Sequence, residues 1–205
     1  MKLLDAVQSV GKIKDWQKLN QLVDVYSYSA HKFGALKGIG FSFVKKTYNW
    51  KPLIIGGGQQ NGLRSGTENL TGILSIEAAL KDLETKINLS ESLNLKNKII
   101  SLLKSSLGDK IVILLENEEN TAVNTISFIH KEKNADLMLM QFDLNGIDVS
   151  FGSACSSGSF KMTQSLRSFG LGNYEKSFIR ISFGVEDYEN PEILDRLNLV
   201  FNKLK

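Results

Sequence analysis

Residues 29–32, Ser-Ala-His-Lys, place a lysine directly after a run of β-branched and aromatic residues and before a glycine-punctuated turn. A lysine amine becomes a nucleophile that forms Schiff bases when burial and nearby positive charge favour its neutral form. The end of a strand would hold Lys32 and its neighbour His31 rigidly. On these residues alone, a surface lysine beside a structural histidine explains the same pattern, and both interpretations stay open.

The chain has one cysteine, Cys155, which can form neither an internal disulfide nor a cysteine-rich metal site, and we expect no bound metal. Residues 150–159 around it are mostly small, without a periodic apolar pattern. That composition predicts an exposed, mobile loop, although a lone cysteine is usually buried and inert. Because the thiolate is the reactive form of cysteine, the loop is a candidate for nucleophilic sulfur chemistry.

Two further segments could bind anions. Residues 64–67, Arg-Ser-Gly-Thr, end a glycine-rich loop at a predicted helix start, where free amides and the helix dipole favour an anion. The Thr67 hydroxyl could add a donor there or cap its own helix. Arg180 lies in an apolar stretch typical of a strand. Its guanidinium could bind the carboxylate of a ligand or that of Glu186 or Asp187.

The elements that must position these residues alternate between strand and helix. β-Branched or aromatic runs predict strands at 23–29 and 39–45. Apolar residues at steps of three and four predict a helix over 68–87 and a second helical stretch around 95–103. The polar residues 88–92 between them form either a hinge in one long helix or a break between two.

A domain boundary after residue 87 is expected, because the two sides differ in character. Residues 1–87 have too few strands to close a sheet covered on both faces, so they belong to a larger domain. Residues 88–205 resemble a compact α+β domain. Its predicted strands are 110–115, 123–129, 147–151 and 178–183, and its predicted helices are 135–144, 163–169 and 191–204.

Composition excludes several classes of function. The 205 residues are 42% hydrophobic and 23% charged, and the formal net charge of +3 is too small for a surface that binds nucleic acid. No apolar run approaches the roughly 20 residues of a membrane span, and no signal-peptide core follows Met1. We therefore expect a cytoplasmic protein that binds neither nucleic acid nor membranes.

Six motifs together resemble the cysteine desulfurases of the class V aminotransferase group, which are pyridoxal-phosphate enzymes. They occur in the expected order and span nearly the whole chain: DAVQSVGK at 5–12, SAHKFG at 29–34, KGIG at 37–40, GGGQ at 56–59, RSGTEN at 64–69 and GSACSSG at 152–158. The resemblance implies an α/β fold, the C-terminal part of a type I pyridoxal-phosphate transferase. Residues 1–87 would form part of the large-domain sheet, and residues 88–205 a small α+β domain carrying the cysteine loop.

The resemblance also implies roles around the cofactor, pyridoxal 5'-phosphate. Asp5 corresponds to the aspartate that pairs with the pyridinium nitrogen, and Gln8, one helical turn later, to the residue that bonds the phenolic oxygen. Ser29 and His31 correspond to phosphate-contacting and proton-handling positions. Lys32 corresponds to the lysine that carries the cofactor and moves the substrate α-proton.

Three more residues are implied to handle substrate and subunits. Thr67 corresponds to a threonine that reaches the cofactor phosphate of the neighbouring subunit, which implies a homodimer. Arg180 corresponds to the arginine that binds the substrate carboxylate. Cys155 corresponds to the nucleophile that takes sulfur from L-cysteine, giving L-alanine and an enzyme persulfide. The sulfur would pass to an iron–sulfur scaffold or a tRNA-thiolation acceptor.

The chain departs from the family in two ways. Family members are much longer, and we expect the missing N-terminal half, with its ring-stacking histidine and phosphate loop, to be a separate or fused segment. Gln60 and Asn61 replace the usual Glu-Arg, which removes an ion pair or an interface charge. The alternative is a truncated non-catalytic remnant or a partner-binding module. Selenocysteine lyases and plain class V aminotransferases are the neighbouring enzymes.

Overall fold

The computed structural model describes residues 1–86, 88–116, 121–151 and 164–205, without the side chains of 19–21 and 164–165. The chain divides into two compact units, Met1–Ile87 and Asn88–Lys205. None of the described helices combines the length and apolarity needed to cross a membrane.

The first unit is built on a three-stranded sheet in the order β1-β2-β3. Its strands are β1 (Leu3–Asp5), β2 (Val25–Ser29) and β3 (Gly40–Val44). The first pair is parallel, with Asp5 opposite Ser27, and the second is antiparallel, with Ser29 opposite Gly40. The two predicted strands are therefore confirmed in slightly shorter form, whereas β1 was not predicted.

Aromatic side chains hold β2 and β3 together. Tyr26 lies directly opposite Phe43 and stacks on it with ring centroids 4.9 Å apart. Tyr28 faces Phe41 at the same separation. Such cross-strand pairs each contribute roughly 0.2–1 kcal/mol to a sheet, so the register of this pair is well specified.

The helix of the first unit, α1 (Leu70–Lys86), begins two residues later than predicted. Asn69 starts it, because its side-chain Oδ1 accepts a hydrogen bond from the Gly72 amide at 3.0 Å. The helix packs on the segment after β2, where the Leu36 amide donates to Ser75 Oγ at 3.2 Å. The small core between helix and sheet contains Ala6, Val10, Tyr28, Ala30, Phe33 and Ala79.

The second unit packs helices on an antiparallel sheet in the order β4-β5-β6. The strands are β4 (Ile111–Leu114), β5 (Thr125–His130) and β6 (Phe178–Ser182). The helices are α2 (Leu89–Leu107), α3 (Ala135–Asp143), α4 (Gln164–Ser168) and α5 (Ile193–Lys203). Phe128, Phe142 and Phe201 are among the fully buried side chains of its core. The predicted strands 110–115, 123–129 and 178–183 and all three predicted helices are present with shifted ends.

Two uncertain points of the second unit are now resolved. The two helices are separate: α1 ends at Lys86 and α2 begins at Leu89, because Asn88 Oδ1 accepts hydrogen bonds from the Ser90 and Glu91 amides at 3.0 and 3.2 Å and so caps α2. The predicted strand 147–151 is wrong. The Ile147 amide donates to the Phe142 carbonyl at 3.1 Å and so closes the end of α3, and only Ser150 bridges to β6.

Candidate functional site

The parallel pair β1 and β2 brings the first group of predicted residues to one edge of the sheet. Asp5 ends β1 and Ser29 ends β2, and parallel strands direct their carboxyl ends to the same edge. Such edges are where open α/β sheets bind ligands. The sequence of the first unit therefore places Asp5 and the residues after Ser29 side by side.

Lys32 lies in a short 3-10 turn, Ala30–Phe33, directly after β2. Ala30 and Phe33 are buried in the core, whereas His31 and Lys32 are exposed. The turn ends at Gly34, whose φ of 101° is a left-handed conformation that glycine adopts without strain. Burial of its two ends thus presents the lysine and histidine side chains at the surface of the sheet edge.

The serine that ends β2 contacts the histidine of this turn. Ser29 Oγ and His31 Nδ1 are 3.0 Å apart, a hydrogen bond in which either group can donate. The pair couples a hydroxyl to a proton-accepting ring next to Lys32. It could both bind an anion and hold a proton there.

Asp5 and Gln8 lie at the same edge, on the segment that follows β1. Asp5 Oδ1 accepts a hydrogen bond from the Val7 amide at 3.1 Å, which fixes the carboxylate of an exposed side chain. Gln8 lies in a turn, in which the Ser9 amide bonds the Ala6 carbonyl at 3.0 Å. The one-turn helical spacing expected between Asp5 and Gln8 is therefore replaced by a non-helical turn.

A residue without a predicted role, Lys12, links these two parts of the site. Its Nζ donates to Gln8 Oε1 at 2.6 Å and to the backbone carbonyl of Lys32 at 3.0 Å. Burial lowers the pKa of Lys12, and the positive charge of Lys32 lowers it further. Lys12 is four residues from Gln8 but twenty residues from Lys32, so the sequence alone does not indicate the second contact.

Thr67 follows the glycine-rich loop, and the structure gives it no capping role. It is exposed, and the residue that caps α1 is Asn69. The loop is held by Ser65, whose hydroxyl donates to the Gly57 carbonyl at 2.8 Å. The side-chain amide of Gln60, one of the two residues that differ from the family's usual Glu-Arg, donates a hydrogen bond to the Glu68 carboxylate at 2.8 Å. Among the described residues, no hydrogen bond or ion pair joins Thr67 to the group at the sheet edge.

Arg180 belongs to the second unit, at the middle of β6. Its backbone pairs with Ser127 on one side, and on the other its amide and carbonyl bond Ser150 at 2.7 and 3.0 Å. The alternative ion pair is not formed in the described part of the chain. The Asp187 carboxylate instead accepts from the Gly184 amide at 2.8 Å. Within the described residues, no carboxylate pairs with the half-buried Arg180.

The structure brings together Asp5, Gln8, Ser29, His31 and Lys32 within one unit. Thr67 is in the same unit but outside this group, and Arg180 is in the other unit. Cys155 lies outside the described residues, as do the other residues of 152–163.

Comparison with known proteins identifies the family of the chain. The family model described as aminotransferase class-V matches residues 1–196. The cysteine desulfurase IscS of Dictyoglomus turgidum is 34% identical over 98% of this chain and 52% of its own length. A cysteine desulfurase of a Nostoc species is 34% identical over 95% of this chain and 48% of its own length.

A NifS-like protein from Rickettsia africae has the same fold. It superposes with a TM-score of 0.76 and 28% identity, covering 98% of this chain and 53% of that structure. This likeness confirms the predicted fold class, part of a type I pyridoxal-phosphate enzyme. The chain spans about half the length of the curated relatives it matches. By the match over residues 1–196 and the identity to these relatives, the chain belongs to the class V aminotransferases, a family of pyridoxal-phosphate-dependent enzymes.

Proposed function

We propose that this chain is the C-terminal part of a cysteine desulfurase, with Lys32 as the cofactor-binding lysine and Cys155 as the sulfur acceptor. The observation that carries the proposal is the group at one sheet edge: a carboxylate, an amide and a lysine turn, with Lys12 joining the amide to the turn. The two relatives compared above are named cysteine desulfurases, which supports the same reaction.

The residues at the edge fit pyridoxal phosphate by their chemistry. Asp5 offers a fixed carboxylate for the pyridinium nitrogen, and Gln8 an amide for the phenolic oxygen. Lys32 is an exposed amine beside the Ser29–His31 pair, which suits the aldehyde carbon and the phosphate end. When bound, the cofactor supplies an electron sink for bond cleavage at the substrate. Thr67 would contact the phosphate held by a second copy of the chain, in a homodimer.

In the proposed sulfur step, two residues of the second unit act on the substrate. Arg180 would bind the substrate carboxylate through two parallel hydrogen bonds, which holds L-cysteine in one orientation. The Cys155 thiolate attacks the substrate sulfur, so that an S–S bond forms while the C–S bond breaks. The released electron pair stays with the substrate carbon, which takes up a proton to become the methyl group of L-alanine. Cysteine and an enzyme thiol thus give alanine and an enzyme persulfide without an external oxidant.

The whole reaction needs more than this chain, in our proposal. The apolar side chains of Leu53 and Ile55 are 95% and 84% exposed, which supports packing of the first unit against further protein. We propose that this further protein is the N-terminal half found in the family's enzymes, either as a separate chain or fused to this one. The persulfide would then pass its sulfur to an iron–sulfur scaffold or another acceptor protein.

The test uses the restored protein, defined as this chain combined with the N-terminal half. We expect Cys155→Ser to keep the yellow cofactor absorbance and to lose sulfide release from L-cysteine, because the acceptor thiol is gone. Ser157→Ala, in the same loop, is the matched control and should keep its activity. Full desulfurase activity in Cys155→Ser would reject the nucleophile. A colourless, inactive restored protein would favour a non-catalytic remnant.

A further inference from the structure

The ammonium group of Lys12 contacts two candidate site residues and is not part of the roles derived above. It donates one hydrogen bond to the Gln8 side-chain oxygen at 2.6 Å and another to the Lys32 backbone carbonyl at 3.0 Å. These residues belong to different segments, one after β1 and one after β2. Lys12 is therefore a direct polar link between the two sides of the site.

The contact with Lys12 decides which way the Gln8 amide faces. An ammonium group can only donate, so the Gln8 atom at 2.6 Å must be the carbonyl oxygen. The NH₂ group of Gln8 then lies on the other side of the amide, away from Lys12. A donor presented there suits an oxygen anion and repels another donor.

Lys12 is also a half-buried cation without a carboxylate. Among the described residues no ion pair includes it, whereas the nearby Lys18 pairs with Asp15 at 3.3 Å. Its burial lowers its pKa, with a second contribution from Lys32. An unpaired buried charge costs stability unless something in its surroundings makes use of it. Lys14, two residues on, is exposed and provides a natural contrast.

We propose that Lys12 is a positioning residue of the cofactor site, which holds the Gln8 amide with its NH₂ group toward the phenolic oxygen. Its ammonium group also holds the Lys32 turn through the Lys32 backbone carbonyl and keeps a positive charge near Lys32. The inference rests on the proposed function, since it gives Gln8 and Lys32 the roles stated there.

The experiment compares Lys12→Met, Lys12→Arg and the control Lys14→Met in the restored protein with pyridoxal phosphate. Three quantities are measured: the pH midpoint of the visible cofactor absorbance, the cofactor dissociation constant, and the unfolding midpoint of the cofactor-free protein. Lys12→Met should raise the pH midpoint, because a positive charge near Lys32 is lost. It should also weaken cofactor binding about tenfold, the size expected for one charge-assisted hydrogen bond.

Lys12→Arg keeps the charge and the donors, so it should restore most of the pH midpoint, and Lys14→Met should change neither quantity. A purely structural lysine would behave differently: both Lys12 variants would lower the unfolding midpoint and leave the pH midpoint unchanged, which would overturn the inference. Borohydride fixation of the cofactor on Lys32 in the parent protein distinguishes failure of the Lys12 role from failure of the proposed function. If fixation succeeds and Lys12→Met behaves like the parent, only the Lys12 role fails. If fixation on Lys32 fails, the proposed function fails and this role with it.

Discussion

The two units differ in where they keep their apolar side chains. The second unit encloses a large core in which residues such as Phe128, Met138 and Val200 are fully buried. The first unit has a small core, and large side chains such as Leu53 and Ile55 remain exposed. Yet the first unit carries the candidate cofactor residues at the sheet edge, namely Asp5, Gln8, Ser29, His31 and Lys32.

This contrast indicates that the larger core and the candidate cofactor residues lie in different units. A unit that buries a core of its own can fold alone, whereas a thin sheet with exposed apolar faces depends on additional protein. The candidate cofactor residues thus lie on the unit that is less able to hold itself together. Their geometry should therefore be sensitive to what covers that unit.

Separation of the units is the largest effect we expect. Residues 88–205, expressed alone, should unfold in one cooperative transition and show protected amides in β5 and α2, because their core is complete. Residues 1–87 should aggregate or exchange their amides rapidly, since β1 and β3 leave unpaired edges. Hydrogen exchange and urea unfolding of both fragments measure this. A stable, monomeric fragment 1–87 would contradict the contrast.

A single phenylalanine in each unit gives a sharper comparison. Phe128 is 0% exposed at the centre of β5, so Phe128→Ala should cost about 3–5 kcal/mol of the free energy of unfolding. Phe43→Ala removes a ring that is 51% exposed, and it should leave the unfolding transition of the second unit unchanged. Urea unfolding of the full chain reports both variants. Equal effects on that transition would show that the two units unfold together.

A smaller effect concerns pH and the buried His130. Its Nε2 must donate to the Leu204 carbonyl at 3.1 Å, and its Nδ1 accepts from the Glu132 and Lys133 amides at 3.1 Å, so the ring is neutral. Burial is the main cause that lowers the pKa of His130; the charges of Lys110 and Lys133 act in the same direction, and the Leu204 carbonyl and Glu132 oppose them.

Because the folded pKa of His130 lies below its unfolded value of 6.5, its contribution to stability is complete above that pH and is lost as the pH falls. The free energy of unfolding of residues 88–205 should therefore drop between about pH 7.5 and 5.5, and the drop should shrink in His130→Gln. Urea unfolding at both pH values measures it. Identical drops in parent and variant would assign the pH dependence to other groups.

Much of the second unit could be predicted because its elements are long and periodic. Leu95, Ile99 and Leu103 form a stripe along α2 that faces the core of the second unit, as the spacing of three and four residues indicates. The strand predicted at 147–151 failed although Ile147 and Val149 are β-branched. Backbone bonding to the end of α3 overrode that propensity.

In the first unit the sequence located Lys32 but not all of its surroundings. The turn after β2 could be predicted from local residues, because the strand pattern stops before Gly34. Strand β1 is only three residues long, too short to show an alternation. The link from Lys12 to Lys32 joins residues twenty positions apart, so only the folded sheet reveals it.

The most direct test of the account is the site of cofactor attachment. The restored protein is incubated with pyridoxal phosphate, reduced with borohydride, digested and mapped by mass spectrometry. We expect the cofactor mass on Lys32 alone, with Lys32→Ala remaining unlabelled and the 205-residue chain by itself showing little visible absorbance. Attachment to another lysine, and in particular to the neighbouring Lys12, would contradict the assignment of this sheet edge as the cofactor site.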